Sequence, residues 1–379
     1  MISPNKLHAN IMTLTILLCL IGLLMAFSTT STYYFNDGGQ GNPFVGLFQQ
    51  FVFLMVGFLV LFLFRKMPQK FLKQYALLFY YISLVLLFVV LVFHTSITNE
   101  VGEEARRWIF IPGGLTIQPS EIAKVSIIFY IAAYYSAYKK KMMLKDHLQP
   151  IIMIAIGAGL IAVEPNVSAA VVFGAIGLVT MVLGGFPLML GVLGSSSISV
   201  LFYLVMSKIP RLQRRLSIVQ EVFVSPDAYQ LRQGLRAIVR GGLVGQGYMK
   251  SSQKFINLAF SSTDFIFAII CEEFGLIFGC LLLFLYFLLF YYILQVARLV
   301  KSHFYSILVA GIAFHLLFQA LLHVAVTLAI FLPTGIPLPF ISKGGSALIL
   351  NLFEIGIVLN IAARLPIKKD RSEEFSIVA

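Results

Sequence analysis

The sequence predicts an all-α polytopic membrane protein with ten transmembrane helices, one large extracytoplasmic loop and both termini in the cytoplasm. Three observations predict it. First, 59% of the 379 residues are apolar or aromatic and only 12% are charged, about half the usual soluble share of roughly 25%. The mean hydropathy is +0.92. So few charges cannot coat a soluble globule of this size, and the composition excludes a soluble enzyme, a disordered chain and a collagen-like chain. Second, the apolar residues come in long unbroken runs, where a β-barrel would show short alternating segments. Third, Lys and Arg are distributed between alternate connecting segments as orientation in a bilayer requires.

A spanning helix needs about 20 mostly apolar residues. The first span, 11–28, follows Lys6 and His8 and runs into Ser28-Thr29-Thr30-Ser31 without an A-x-A site. It reads as a retained span and not as a cleaved signal. The second, 44–64, stops at Arg65 and Lys66, and the third, 74–94, begins after Lys70 and Lys73. The fourth, 119–138, opens on Pro119 and closes on Lys139-Lys140-Lys141. The fifth and sixth, 148–163 and 167–183, are short and share the polar joint Glu164-Pro165-Asn166. The seventh, 187–206, leads into an outer loop, 207–262. The eighth, 264–294, is longer than one crossing, and the ninth and tenth are 304–330 and 345–363. A short charged tail, 364–379, follows. With the N-terminus inside, the short outer loops carry only Arg106, Arg107 and Lys343. The other outer cations sit in the long loop, where the bias acts weakly. The chain 1–379 is one membrane domain with no separate soluble domain.

That outer loop holds Lys208, Arg211, Arg214, Arg215, Arg232, Arg236, Arg240, Lys250 and Lys254, opposed by Glu221 and Asp227. Such a field suits an anionic ligand such as a lipid pyrophosphate; the plainer reading is attraction to anionic lipid heads. Its stretch Gly241-Gly242-Leu243-Val244-Gly245-Gln246-Gly247 reads as a flexible loop or as an anion cradle. Asp264, at the mouth of the eighth span, reads as a helix cap or as a general base, and the two are not exclusive. Glu272 and Glu273 lie roughly 12–14 Å further along a continuous helix, where carboxylates face a bundle interior. One of them is in a position to pair with Lys124, as is Glu121, three residues away on the same helix face. These groups, with Glu164, read as structural pairs or as a proton path. The proline-broken segment Thr334-Gly335-Ile336-Pro337-Leu338-Pro339-Phe340 with Ser342-Lys343-Gly344-Gly345-Ser346 reads as an interfacial lid or substrate groove. His315 and His323 lack acidic or thiol neighbours and read as packing or hydrogen-bonding residues. Cys19, Cys271 and Cys280 lie in apolar runs without a disulfide or metal pattern. No Walker loop, H-E-x-x-H, G-x-S-x-G or dinucleotide fingerprint occurs, which disfavours ATP-driven transport by this chain alone.

Taken together, these stretches resemble the SEDS family (shape, elongation, division and sporulation), which includes FtsW, RodA and SpoVE. The resemblance covers nearly the whole chain. It rests on Ala105-Arg106-Arg107-Trp108-Ile109 with Gln118-Pro119-Ser120-Glu121-Ile122-Ala123-Lys124, then Glu164-Pro165-Asn166, Tyr229-Gln230-Leu231-Arg232-Gln233 and Ser252-Gln253-Lys254. Gly241-Gly242, Thr263-Asp264-Phe265-Ile266-Phe267-Ala268, Glu272-Glu273-Phe274-Gly275 and Leu338-Pro339-Phe340-Ile341-Ser342 with Gly344-Gly345-Ser346 complete the set. Tyr229-Gln230 and Ser252-Gln253-Lys254 look more like the FtsW branch. The chain departs from the family where Leu-Pro-Glu-x-His usually precedes Thr-Asp and here reads Leu258-Ala259-Phe260-Ser261-Ser262. It also departs at Asn166-Val167-Ser168, where Asp-Leu-Gly is usual, and at Lys343, where Tyr is usual.

The resemblance implies a peptidoglycan glycosyltransferase of the bacterial inner membrane that polymerises lipid II on the outer face. It implies Asp264 as the essential aspartate, and a class B penicillin-binding protein and other division or elongation proteins as partners, with membrane lipid around it and no nucleic acid. Arg106, Arg107, Trp108, Arg211, Arg215, Arg236, Lys254, Ser342 and Lys343 are the expected substrate-binding residues. A divalent cation, Mg or Mn, is the only cofactor expected. The competing readings are a flippase of lipid-linked precursors and an inactive division scaffold.

Overall fold

The computed structural model describes residues 4–36, 44–92, 97–98, 104–105, 108–111, 115–138, 142–164, 166–194, 213, 218–225, 228–256, 258 and 260–365. The described chain is mostly helical. In order come α1 (Pro4–Asn36), α2 (Val45–Lys66), the short α3 (Gln69–Gln74), α4 (Ala76–Val92), α5 (Pro119–Ala137), α6 (Leu148–Val163) and α7 (Val167–Gly184). After the outer loop's α8 (Tyr229–Gly241) and α9 (Gln253–Ile256) come α10 (Ile266–Leu299), α11 (His303–Thr327) and α12 (Gly345–Ala362). Seven described helices are long and apolar enough to cross a bilayer: those built on α1, α2, α6, α7, α10, α11 and α12. The shorter apolar α4 and the charge-bearing α5 stand where the third and fourth spans are expected. The expected seventh span is helical over 188–194, and its remainder lies outside the described residues. The architecture is that of an all-α polytopic membrane protein.

Between α4 and α5 the expectation of helices alone needs a small correction. Two antiparallel hairpins stand there, β1 (Ile97–Thr98) with β2 (Glu104–Ala105) and β3 (Ile109–Ile111) with β4 (Leu115–Ile117). The segment is rich in β-branched Ile and Thr, which favour extended backbone.

Local chemistry sets the helix ends. Pro119 opens α5 with Glu121 in its first turn, the arrangement that suits a helix N-terminus. Asn166 caps α7 by accepting from the Ala169 N–H. Gly185, at φ 113°, closes α7 while Phe186 N–H donates to Met181 O at 3.0 Å. The last carbonyls of α2 are met by Asn360 of α12, whose Nδ2 donates to Phe64 O and Met67 O at 2.7 Å each. A Cβ on Gly356 would stand 2.7 Å from Leu61 O, so α12 and α2 touch backbone to backbone there, as small residues permit in membranes.

Over their most apolar windows α11 and α12 are 78% buried and α2 only 22%. The first two therefore form the inside of the bundle, and α2 shows a broad face to lipid. α11 packs on α5, α7 and α10, while α4 lies on α5, α6 on α7 and α1 on α10.

The overlong eighth span is two helices. Gly275 breaks α10 with φ 84° and ψ 169°. The freed backbone is taken up by the glycine-rich stretch of the outer loop. Gln246 N–H and Gly247 N–H donate to Glu272 O and Glu273 O at 2.9 Å, and Leu276 N–H donates to Gly242 O at 2.9 Å. A Cβ at Gly241 or Gly245 would lie 2.0 or 2.3 Å from a carbonyl oxygen of this break. These glycines are thus a splint that allows close backbone approach, and two of their segment's N–H groups are spent on it. Leu276–Leu299 remains as a crossing of about 36 Å. Glu272 and Glu273 therefore do not continue a single spanning helix, as the sequence suggested. They sit above the break, facing the loop.

Candidate functional site

The site is built on the turn that leads into α10. Phe260 holds φ 57°, and its carbonyl accepts from the N–H groups of Thr263, Asp264 and Phe265 at 3.1, 3.0 and 3.3 Å. This tight knot presents the Asp264 side chain half-buried. Phe265 is the N-cap of α10, and its own side chain makes no capping bond.

The proline-broken segment forms the opposite wall. A Cβ built on Gly335 would meet only the two Asp264 carboxylate oxygens, at 3.6 and 3.9 Å, and Gly335 is exposed. The carboxylate therefore faces an open edge lined by bare backbone. Two bonds join the walls: Ser342 Oγ donates to Thr263 O at 2.9 Å, and Lys343 N–H donates to Ser262 O at 2.9 Å. The rest of the segment is anchored by side chains from the spans. His323 Nδ1 bonds Ile336 O at 2.8 Å, Gln319 Nε2 bonds Pro337 O at 3.0 Å and Tyr286 Oη bonds Pro339 O at 2.5 Å. Leu338, Phe340 and Ile341 are fully buried. The segment is a wall anchored by side chains of α10 and α11.

The buried charges pair in a pattern only partly expected. Lys124 Nζ lies 2.7 Å from Glu121 Oε1, as the three-residue spacing suggested, and also 3.4 Å from Gln319 Oε1. Neither Glu272 nor Glu273 reaches Lys124. Glu273 Oε1 takes Lys254 Nζ at 2.6 Å and Ser28 Oγ at 2.5 Å. Glu272 accepts from the Ser251 hydroxyl, and from the Ser252 N–H and Oγ at 3.2 Å. Burial pushes the Lys254 ammonium below its ordinary range, and Glu273 pulls it back. His315 Nδ1 meets Glu354 Oε1 at 2.7 Å, an acidic partner 39 residues away that the sequence reading missed. Glu164 is fully buried at the end of α6.

Of the expected substrate-binding residues, Arg106, Arg107, Arg211 and Arg215 lie outside the described residues. Trp108 is half-buried just ahead of β3. Lys254 is spent on Glu273, and Ser342 on the turn. Lys343 is half-buried beside that turn, and burial lowers its ammonium pKa. Arg236 lies on α8 with Arg232 and Arg240. These three, with Phe223, Val224 and Val239, line an open groove of about 830 Å³. Asp264 is not part of that groove. On the opposite face of α8, Gly234 is so close to Phe265 that an added Cβ would stand 2.9 Å from its ring. Arg232 is committed to the carbonyls of Val222 and Ser225, which holds the groove's rim. Among the described residues no group of three or more His, Cys, Asp or Glu side chains stands together to hold a metal.

The comparisons with known proteins agree on one lineage. The family model FTSW_RODA_SPOVE, described as "Cell cycle protein", matches residues 8–366. A Coxiella burnetii protein named "Probable peptidoglycan glycosyltransferase FtsW" is 34% identical over 92% of this chain and 94% of its own length. A chain from the solved structure "Structural coordination of polymerization and crosslinking by a peptidoglycan synthase complex" superposes with a TM-score of 0.77 at 25% identity, covering 93% of this chain and 96% of that one. The Thermus thermophilus rod shape determining protein RodA shares the fold, with a TM-score of 0.68 at 24% identity over 95% of this chain and 97% of its own.

Proposed function

The chain belongs to the FtsW/RodA/SpoVE family of cell-cycle proteins, and on that premise we propose that it is a peptidoglycan glycosyltransferase polymerising lipid II at the outer face of the bacterial inner membrane. The observation that carries the reading is the Asp264 carboxylate, half-buried on a rigid turn and open along Gly335. The acceptor sugar's hydroxyl gives its proton to Asp264 as its oxygen attacks the donor's anomeric carbon. The bond from that carbon to the lipid pyrophosphate breaks with inversion, and the bond's electron pair leaves on the pyrophosphate.

Cations hold the leaving pyrophosphate. Lys343, at the turn, is the described cation beside Asp264; Arg236 on the separate α8 groove, and Arg106, Arg107, Arg211 and Arg215, outside the described residues, are the further candidates, with Trp108 ahead of β3. Lys254 and Ser342 act by holding the loop and the turn. A divalent cation, Mg or Mn, fits this chemistry. Mg is commonly held by one or two carboxylates and by substrate phosphates, and Asp264 supplies a carboxylate. Once bound, it would neutralise pyrophosphate charge. Ten crossings with both ends in the cytoplasm put α8, α9 and the Asp264 turn on the outer side. A class B penicillin-binding protein is the partner that this role requires.

Reconstitution in liposomes with labelled lipid II tests the reading. Glycan polymer is expected. Translocated lipid without polymer would make the chain a flippase, and neither product, with the penicillin-binding partner present, would make it a scaffold.

A further inference from the structure

Three polar side chains recur every four residues on α11: His315, Gln319 and His323. A spacing of four keeps them on one helix face, and all are at most 1% exposed. Two of them bond the segment that walls Asp264. A carbonyl only accepts, so the contact to Pro337 O fixes the Gln319 amide with Nε2 toward the wall and Oε1 toward Lys124. The Lys124 ammonium only donates, which suits that orientation, and Glu121 holds the ammonium in place. By the same logic His323 carries its proton on Nδ1 toward Ile336 O. Its Nε2 is then a bare acceptor, with no partner among the described residues. Burying such a group is costly.

We propose that Gln319 and His323 are positioning residues: they grip the carbonyls of Pro337 and Ile336 and thereby set Gly335 against the Asp264 carboxylate. The Glu121–Lys124 pair locks the amide of Gln319 and so acts on the carboxylate at second hand, through Gln319 and Pro337. The inference deepens the reading of Asp264 as the base and rests on it. The two grips flank Gly335 on its C-terminal side only, at the next two carbonyls. Losing either lets the wall shift toward or away from the carboxylate without removing any group that touches substrate.

The experiment uses the full chain with its penicillin-binding partner in liposomes, turning over lipid II. His323→Leu keeps bulk and removes the donor. His323→Asn places an amide N–H where Nδ1 stands and removes the bare Nε2. Gly335→Ala adds a methyl that meets nothing nearer than 3.6 Å, so it folds, yet it stands on the carboxylate. The expected result is a kcat about tenfold or more lower for His323→Leu and Gly335→Ala, since small misplacements cost this much. KM should stay within about threefold and His323→Asn should recover kcat to within about threefold. Wild-type kcat in Gly335→Ala, or a change confined to KM in His323→Leu, overturns the proposal. If His323→Leu does not fold, Gly335→Ala and His323→Asn still decide. Asp264→Asn runs alongside. Polymer from that variant removes the base itself and the proposal with it, whereas a dead Asp264→Asn beside a fully active Gly335→Ala removes the positioning role alone.

Discussion

At the scale of single residues, Lys254 illustrates how a candidate ligand becomes a structural group. Its ammonium lies 2.6 Å from Glu273 Oε1 and 2.6 Å from Ser28 Oγ, out of reach of solvent. Removing one member of a buried pair leaves the other charge uncompensated, which costs about 3–5 kcal/mol. Lys254→Ala is therefore expected to lower the thermal unfolding midpoint of the purified protein sharply, and the double variant Lys254→Met with Glu273→Leu to restore much of it. Unchanged unfolding with a raised KM would return Lys254 to the substrate site. Lys254 and Glu273 are 19 residues apart, one in α9 and the other in α10, and nothing in their spacing announces the contact. Glu121 and Lys124 were legible because a three-residue interval on a helix dictates it. Asp264 was legible as a polar group at an apolar helix start, and the resemblance singled it out as the essential one.

At the scale of elements, the helices were legible because long apolar runs have one physical solution in a bilayer. The break in α10 was not, since a single glycine within an apolar run carries no signal by itself. Gly275 needs positive φ, and an added Cβ would stand 2.2 Å from Leu243 O. Gly275→Ala is expected to prevent accumulation of folded protein in the membrane, in contrast to the tolerated Gly335→Ala; normal yield and monodispersity would contradict the splinted break. The proline-broken segment was legible as irregular, but its burial was not. Its bonding partners are Tyr286 of α10, 53 residues away, and two side chains of α11, 13 and 18 residues away. Tyr286→Phe removes the donor to Pro339 O, and a buried carbonyl left bare costs about 1–3 kcal/mol. Calorimetry or a thermal-shift assay should show a lower midpoint, and no shift would mean that the wall is not held from α10.

At the scale of the whole molecule, the proposed positioning residues Gln319 and His323 lie on the buried α11, while α2 shows a broad face to lipid. The groove on α8 gathers Arg232, Arg236 and Arg240, and Asp264 is not among its lining residues. If Arg236 helps to receive the pyrophosphate, Arg236→Ala should raise KM for lipid II several-fold with kcat little changed, and added salt should narrow the difference. An unchanged KM would assign the groove to something other than the substrate. The central claim remains that Asp264 takes the proton in glycan polymerisation. Its most direct test is the rate of polymer formation from labelled lipid II by Asp264→Asn, with the partner protein present and folding verified. Asn keeps size and loses basicity. The account predicts a fall of about a hundredfold or more, and polymer at the wild-type rate would contradict it.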